Sequence, residues 1–386
     1  MDFTRLGLRD ALVQGLAKQG ITAPAPIQTQ GIPPILNNED VFLNAETGTG
    51  KTLAFLLPLF ERIDCTVKDL QVVILAPTHE LAMQIHEQST TLARNSGIPV
   101  RSQALIGSAA VKRQIEGLKK KPHLVVGSAG RIQHLITLKK LKLQKVRAVV
   151  LDEMDRLLVD ESLQQIRRIL AMVPRERQMI FCSATRQPKS LAEAQSLCPG
   201  LQGVSTAANR IAPNIEHLYC VGEERDKFTL LRKLIHAQNP ERALVFLHRN
   251  EDVEELVTRL AFHKINVVGL HGGMDKLERK NGLDGFRRGK SRVLVASDVA
   301  ARGLDISGVT HVYNLNAPSS GKDYLHRVGR TGRAGVSGCA VTLLTDPELR
   351  LVRRYEQELD LVMTRISVRQ GRVILPRAPE HRPADT

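Results

Sequence analysis

The chain has no tryptophan and only four tyrosines among its 386 residues, so a platform of aromatic side chains stacking successive bases is excluded as its main grip on a polymer. Its five cysteines, Cys65, Cys182, Cys198, Cys220 and Cys339, are scattered without a Cys-x-x-Cys pair. That argues against a zinc knuckle or a disulfide framework and points to a reducing compartment. No uninterrupted apolar run approaches the roughly 18 residues of a membrane span, and Met1-Asp2-Phe3-Thr4 carries no charged-then-apolar signal. A soluble, cytoplasmic protein is expected.

Acid is also scarce relative to base. Lys and Arg number 55 against 40 Asp and Glu, for a net charge of +15 and an isoelectric point near 9.8. Such a balance suits a polyanion, with nucleic acid the first candidate. With so few aromatics, contact should run through the phosphate and sugar backbone.

The length suits two domains rather than one. Short apolar runs alternate with longer helical patterns in both halves, the pattern of parallel α/β sheets. The first half has Val41 to Asn44, Val72 to Ala76, Leu124 to Gly127, Ala148 to Leu151 and Met179 to Cys182. The second has Ala243 to Leu247, Val267 to Leu270, Val293 to Ala296, His311 to Leu315 and Ala340 to Leu344. Between them Gly203 to Asn214 is small and polar, with Pro213 near its end. The expected division is a first domain over 1–205, a short flexible linker over 206–214, a second domain over 215–360 and a basic tail over 361–386.

Two segments stand out chemically. Ala45-Glu46-Thr47-Gly48-Thr49-Gly50-Lys51-Thr52 follows an apolar run and enters a helical pattern, so backbone N–H groups and the helix start can surround phosphates. Lys51 would reach the terminal phosphates and Thr52 would hold Mg²⁺. The general phosphate-loop pattern asks for glycine at Ala45, and alanine serves there if its φ stays negative. Far downstream His326-Arg327-Val328-Gly329-Arg330-Thr331-Gly332-Arg333 spaces three arginines three apart. Like charges at that spacing repel on a helix, so the segment implies an anionic partner.

A third segment, Asp152-Glu153-Met154-Asp155, follows the run Ala148 to Leu151. Carboxylates at the C-terminal end of a strand lie beside the phosphate loop in this architecture. Asp152 would hold Mg²⁺ through water, and Glu153 would orient and deprotonate the attacking water. Ser183 and Thr185 follow another run, where their hydroxyls can bond Asp155.

On these segments, with Pro77-Thr78-His79-Glu80-Leu81-Ala82, Ser183-Ala184-Thr185 and Ser297-Asp298-Val299-Ala300-Ala301-Arg302-Gly303-Leu304-Asp305, the chain resembles the DEAD-box ATP-dependent RNA helicases over about residues 3 to 345. The resemblance implies an α/β fold of two tandem RecA-like parallel-sheet domains. It implies ATP and Mg²⁺ as cofactors, RNA as partner with weak sequence preference, and RNA-stimulated ATP hydrolysis coupled to lobe closure and local unwinding. Phe3 and Gln28 would meet adenine, and Gln28 suits it because a carboxamide matches the N6 donor and N7 acceptor. Thr47, Gly48, Thr49, Gly50, Lys51 and Thr52 would hold phosphates and metal. Gly303 and Asp305 would lie near the terminal phosphate and ribose, and Arg330 and Arg333 would act as arginine fingers. Asp155, Ser183, Thr185 and His326 would couple hydrolysis to strand separation. RNA contact would fall to Thr78, His79, Gly107, Ser128, Gly130, Arg131, Gly272, Arg279, Asp298 and Arg302.

Departures from the family pattern gather in the RNA-contacting segments: His79 for arginine, Ser108 for glycine, Ala129 for proline, Gly273 for aspartate, Lys276 for glutamine. Met154 replaces alanine among the acids, and Ile21 stands where an aromatic is common. Histidine, unlike arginine, changes charge near neutral pH, so RNA binding is expected to tighten on mild acidification. Two other readings remain at this stage: an ATP-dependent RNA clamp in a ribonucleoprotein assembly, and a DNA translocase of the same superfamily. A monomer is expected, with ribosomal or ribonucleoprotein proteins open as partners.

Overall fold

A computed structural model describes residues 2–375 apart from 46–47, 186, 206–213, 298–299, 301–307 and 333–335. Thr47, Asp298, Arg302, Gly303, Asp305 and Arg333 therefore lie outside the described residues, as does most of the expected linker. The chain divides into two compact units, Met1–Ala208 and Asn209–Thr386.

The first unit is a seven-stranded parallel sheet. Its strands are β1 (Val41–Asn44), β2 (Val72–Leu75), β3 (Ser102–Leu105), β4 (Leu124–Gly127), β5 (Ala148–Leu151), β6 (Gln178–Ser183) and β7 (Gln202–Ser205), in spatial order β3-β4-β2-β5-β6-β1-β7. Strands with helices on both faces are apolar throughout, which is why the central runs lack alternation in the sequence. Successive side chains still point to opposite faces. Val41, Ile74, Val126 and Ile180 join one core with Phe55 and Ile85, while Phe42, Val73, Val125 and Phe181 join another with Ile132 and Ile166. The expected α/β class with parallel sheets is borne out.

The second unit repeats the plan with β8 (Ile215–Val221), β9 (Ala243–Leu247), β10 (Val267–Leu270), β11 (Val293–Ser297), β12 (His311–Asn314), β13 (Gly338–Leu344), β14 (Thr364–Arg369) and β15 (Arg372–Ile374). Their order is β10-β11-β9-β12-β13-β8-β14-β15. All pair in parallel except β14 with β15.

That last hairpin corrects the expected tail over 361–386. Residues 364–374 extend the sheet: Ile366 is 2% exposed and packs into the second unit's core, with Val368 and Val373 against the same cluster. Gln370 and Gly371, at φ of 47 and 73, form the two-residue turn. Positive φ at both central positions suits the twist of a tight hairpin. The alternation Arg365-Ile366-Ser367-Val368-Arg369 carried the signal, masked by its charge. Beyond 375 the chain lies outside the described residues.

Because every strand of the first sheet runs the same way, the segments leaving β1, β2, β4, β5 and β6 emerge along one edge. The phosphate loop, the segment from Thr78, the segment from Ser128, the acidic segment from Asp152 and the Ser183-to-Thr185 segment are among them. Ligands in open α/β sheets bind at such carboxyl ends.

Candidate functional site

The loop after β1 turns on two glycines in left-handed backbone, Gly48 at φ 81 and Gly50 at φ 92. An L side chain is strained there, so glycine is what lets the loop wrap inward before the helix Lys51–Arg62 begins. Ala45 does not take a positive φ, so alanine serves where the phosphate-loop pattern has glycine. Lys51 opens the helix 9% exposed, and its ammonium donates to the Ala45 carbonyl. A buried cation thus curls back on its own loop.

Gln28 supports this loop from below. It is 3% exposed; its Oε1 accepts the Ala25 N–H at 2.9 Å, and its Nε2 donates to the Gly50 carbonyl at 3.1 Å. The first bond closes the start of the helix Pro26–Leu36, and the second ties that helix to the phosphate loop. A Cβ at Gly50 would stand 2.4 Å from Gln28 Nε2, so this contact needs glycine for space as well as for φ. Phe3, expected beside adenine, is 0% exposed within the first core. It has no face free for a base and acts as a packing residue.

Asp152 leaves β5 with 4% exposure and accepts the Glu153 N–H at 3.0 Å. Burial pushes its carboxyl up to about 6; Lys51 pulls the other way, and the neighbouring Glu153 and Asp155 add to the rise. Such a carboxylate is poised for a cation. Glu153 itself sits in left-handed backbone at φ 52, a costly conformation for a non-glycine residue, and its Oε2 pairs with Arg156 at 3.0 Å. Arg156 was not singled out in the sequence, although the i,i+3 spacing was there to see.

Asp155 is 5% exposed and accepts the Thr185 hydroxyl at 3.0 Å, which joins the ends of β5 and β6 as expected. Ser183 takes a different part. Its hydroxyl accepts the Thr185 N–H at 3.1 Å, shaping the turn that presents Thr185.

A second cluster gathers expected RNA-contacting residues of the first unit. Thr78 caps the helix His79–Ser96 by accepting the Leu81 N–H at 3.2 Å. Next to it, the His79 Nε2 accepts the Gly107 N–H at 3.2 Å. Arg131 holds the same loop from the other side, donating to the Gly107 carbonyl at 2.8 Å and the Ala109 carbonyl at 3.2 Å. Ser128 and Gly130 lie at the start of the helix Ala129–Thr137 that carries Arg131. Residues separated by dozens of positions thus fix one exposed loop.

In the second unit, Gly272 and Arg279 come together through Asn250, which the motifs did not include, and through Ser297 and Ala300, which belong to one of them. Gly272 N–H donates to Asn250 Oδ1 at 3.3 Å, the Ser297 hydroxyl donates to the same oxygen at 2.6 Å, and Arg279 donates to the Ala300 carbonyl at 2.8 Å. Asn250 carried only one signal in the sequence: an asparagine immediately before a helical pattern.

The arginine series divides. Arg327 is 2% exposed, donates to Asn314 Oδ1 at 3.2 Å and to the Asn316 carbonyl at 2.6 Å, and lies 5.2 Å from the Phe246 ring centre. It is satisfied inside the second unit, which removes it from the three guanidinium groups expected to meet an anion. His326 is in the same helix, Gly321–Val328, and Arg330 follows that helix at 7% exposure.

Residues 25–194 match the DEAD/DEAH box helicase family and residues 226–335 the helicase conserved C-terminal domain. The chain is 39% identical over 371 residues to the DEAD-box ATP-dependent RNA helicase CshC of Bacillus cereus, covering 96% of this chain and 95% of the relative. It is 39% identical over 365 residues to the helicase CshA of the same species, covering 94% and 69%. Among solved structures, Saccharomyces cerevisiae Dbp5 bound to RNA and ADP BeF3 superposes with a TM-score of 0.86 at 29% identity, covering 94% and 95% of the two chains.

Proposed function

Since the chain belongs to the DEAD-box ATP-dependent RNA helicases, we propose the part each of its residues plays in ATP hydrolysis and RNA binding. The protein is an ATP-dependent RNA helicase. The observation that carries the assignment of residues is the buried Lys51 and Asp152, electrostatically coupled where β1 and β5 end.

ATP phosphates are taken by the backbone N–H groups around Gly48 and Gly50 and by Lys51, which exchanges the Ala45 carbonyl for an anionic oxygen. Gln28 reads adenine without leaving the loop. Its Oε1 keeps a lone pair and its Nε2 a hydrogen beyond the bonds to Ala25 and Gly50, enough for a bidentate pair. Glu153 orients the attacking water and takes its proton, with Arg156 setting where that carboxylate stands.

Magnesium fits the donors present. Asp152 is a buried carboxylate in need of a cation, and among the described residues no group of three or more His, Cys, Asp or Glu could form an all-protein cage. That is the pattern of an ion shared with phosphates. Asp152 and Thr52 would hold it, and when bound it neutralises charge on the phosphate oxygens.

RNA is held by its phosphates at Thr78, His79, Gly107, Ser128, Gly130 and Arg131 on the first unit, and at Gly272 and Arg279 on the second. These are backbone readers, so sequence preference is weak and salt dependence steep. Arg330, Arg333, Asp298, Arg302, Gly303, Asp305 and Thr47 join the reading on the family resemblance alone. One copy carries every residue that the cycle uses, so the protein acts as a monomer. Its place is the cytoplasm; among the described residues no helix is long and apolar enough to cross a membrane.

The test compares ATP turnover with ribo- and deoxyribo-oligonucleotides of equal length. RNA should stimulate by about tenfold or more, the scale of ordinary coupling between two ligand sites, and DNA hardly at all. Equal stimulation by both would move the protein to the DNA translocases of the superfamily.

A further inference from the structure

Asn250 precedes the helix Glu251–Phe262, where an asparagine side chain ordinarily caps the helix by accepting an N–H from its first turn. Here it makes no such bond. Its carboxamide oxygen accepts instead from the Gly272 N–H at 3.3 Å and the Ser297 hydroxyl at 2.6 Å. In the parallel sheet β11 lies between β9 and β10. From the end of β9, Asn250 therefore reaches past the end of β11 to the loop after β10. Ser297 is 1% exposed, and its oxygen accepts the Ala300 N–H at 3.3 Å. The Ala300 carbonyl in turn takes an Arg279 guanidinium N–H at 2.8 Å.

One carboxamide oxygen thus links the Gly272 loop, the end of β11 and the segment against which Arg279 is braced. The fit is close. A Cβ on Gly272 would meet Asn250 Nδ2 at 3.2 Å, so backbone and side chain sit as near as glycine allows. An N-cap forgone in favour of a bond to each of two neighbouring strand ends costs the helix its terminal partner. What it secures is the relative placement of Gly272 and Arg279.

We propose that Asn250 is a positioning residue for RNA binding: it touches no RNA, and it holds Gly272 and Arg279 in the spacing that adjacent phosphates of one strand require. This rests on the reading that those two residues meet RNA.

The test measures RNA-stimulated ATP turnover of the full chain against a single-stranded oligoribonucleotide at several salt concentrations. Asn250→Leu is close in size and has no acceptor. It should raise the KM for RNA roughly tenfold, a hydrogen bond's worth of binding, with kcat at saturating RNA changed by less than about twofold. The slope of log affinity against log salt should stay as in the wild type, because no phosphate contact is lost directly. Arg279→Gln should raise KM and also lower that slope by about one contact. Ser297→Ala removes one of the two donors without touching Asn250. It should raise KM by itself, and the double variant with Asn250→Leu should fall short of the sum of the two effects.

An unchanged KM in both Asn250→Leu and Ser297→Ala, with Arg279→Gln impaired, overturns the proposal and leaves the RNA reading standing. If Arg279→Gln is also unimpaired, the reading falls and the proposal with it. A reduced salt slope in Asn250→Leu would mean that Arg279 has lost its phosphate altogether, since a neutral carboxamide releases no counterion, and would support the proposal. Should Asn250→Leu not fold, Ser297→Ala with its KM and kcat decides.

Discussion

The His79 ring nitrogen Nε2 and the Gly107 backbone N–H meet at 3.2 Å, so His79 acts as an acceptor where the family pattern has an arginine that can only donate. That acceptor shapes the loop. An arginine in its place would give up the acceptor and add a fixed positive charge beside the proposed phosphate path.

The charge should outweigh the lost bond. Gly107 is exposed, so water can satisfy its N–H, and Arg131 still holds its carbonyl at 2.8 Å. One more cation facing RNA releases about one more counterion, worth several-fold in affinity at moderate salt. His79→Arg should therefore bind RNA several-fold more tightly than the wild type at moderate salt, and the gain should shrink as salt rises. Titration of a labelled oligoribonucleotide at two salt concentrations checks it, and equal affinity of the two proteins would remove position 79 from the phosphate path.

Glu153 is strained in left-handed backbone and is also the proposed base. Those two properties can be separated. Glu153→Gln should bind ATP and RNA but turn over at least about 10²-fold more slowly. Glu153→Gly should lose turnover equally yet unfold no earlier than the wild type, because glycine relieves the backbone cost of about 1 kcal/mol. Rapid turnover by either variant would remove Glu153 from the chemistry.

Gly50 and Gln28 form a pair that a single methyl group should disturb. Gly50→Ala places a Cβ 2.4 Å from Gln28 Nε2 at a φ of 92. Nucleotide affinity should fall by roughly tenfold or more, as expected when a buried hydrogen bond and a loop conformation are lost together. Adding Gln28→Ala removes the clash but also the proposed adenine contact, and it leaves the φ strain, so the double variant should bind nucleotide no better than Gly50→Ala. Fluorescent-nucleotide titration reads both, and a double variant that regains wild-type affinity would remove both the φ strain and the adenine contact from the account.

His217 gives the second unit a pH-dependent stability. Burial pushes its imidazole down to about 4, and its Nδ1 lies 2.8 Å from the Tyr324 hydroxyl. The unfolded chain takes up this proton near pH 6.5 and the folded one only near 4, so the contribution is complete above about 6.5 and lost as pH falls towards 4. At 1.36 kcal/mol per pKa unit the loss amounts to about 3 kcal/mol. Urea unfolding of the wild type should weaken across that window, and His217→Gln should flatten the slope; an unchanged slope would place the effect elsewhere.

The sequence alone determined the strands of both sheet centres and singled out the residues proposed for the nucleotide chemistry. Buried parallel strands must be apolar on both faces, so Val72–Leu75 and Ala148–Leu151 stand out from any single window of the chain. A phosphate loop is equally local, because its glycines, lysine and helix start are consecutive. Edge elements left no such mark. Ser102–Leu105 and Thr364–Arg369 are strands because a neighbour supplies the ladder, and their polar residues, half-buried in the first and partly exposed in the second, hide the pattern.

Tertiary structure decided which polar groups meet. Three equally spaced arginines look alike in sequence, yet the fold encloses Arg327 between Asn314 and Asn316 and leaves Arg330 beyond the helix end. Phe3 read as a base contact until packing gave it no free face. The partners His79 with Gly107 and Asn250 with Gly272 are 28 and 22 residues apart. Apolar patterning is written along the chain because burial acts on every residue of a strand. A hydrogen bond between loops depends on two distant backbones arriving within about 3 Å, and only the assembled sheet fixes that distance.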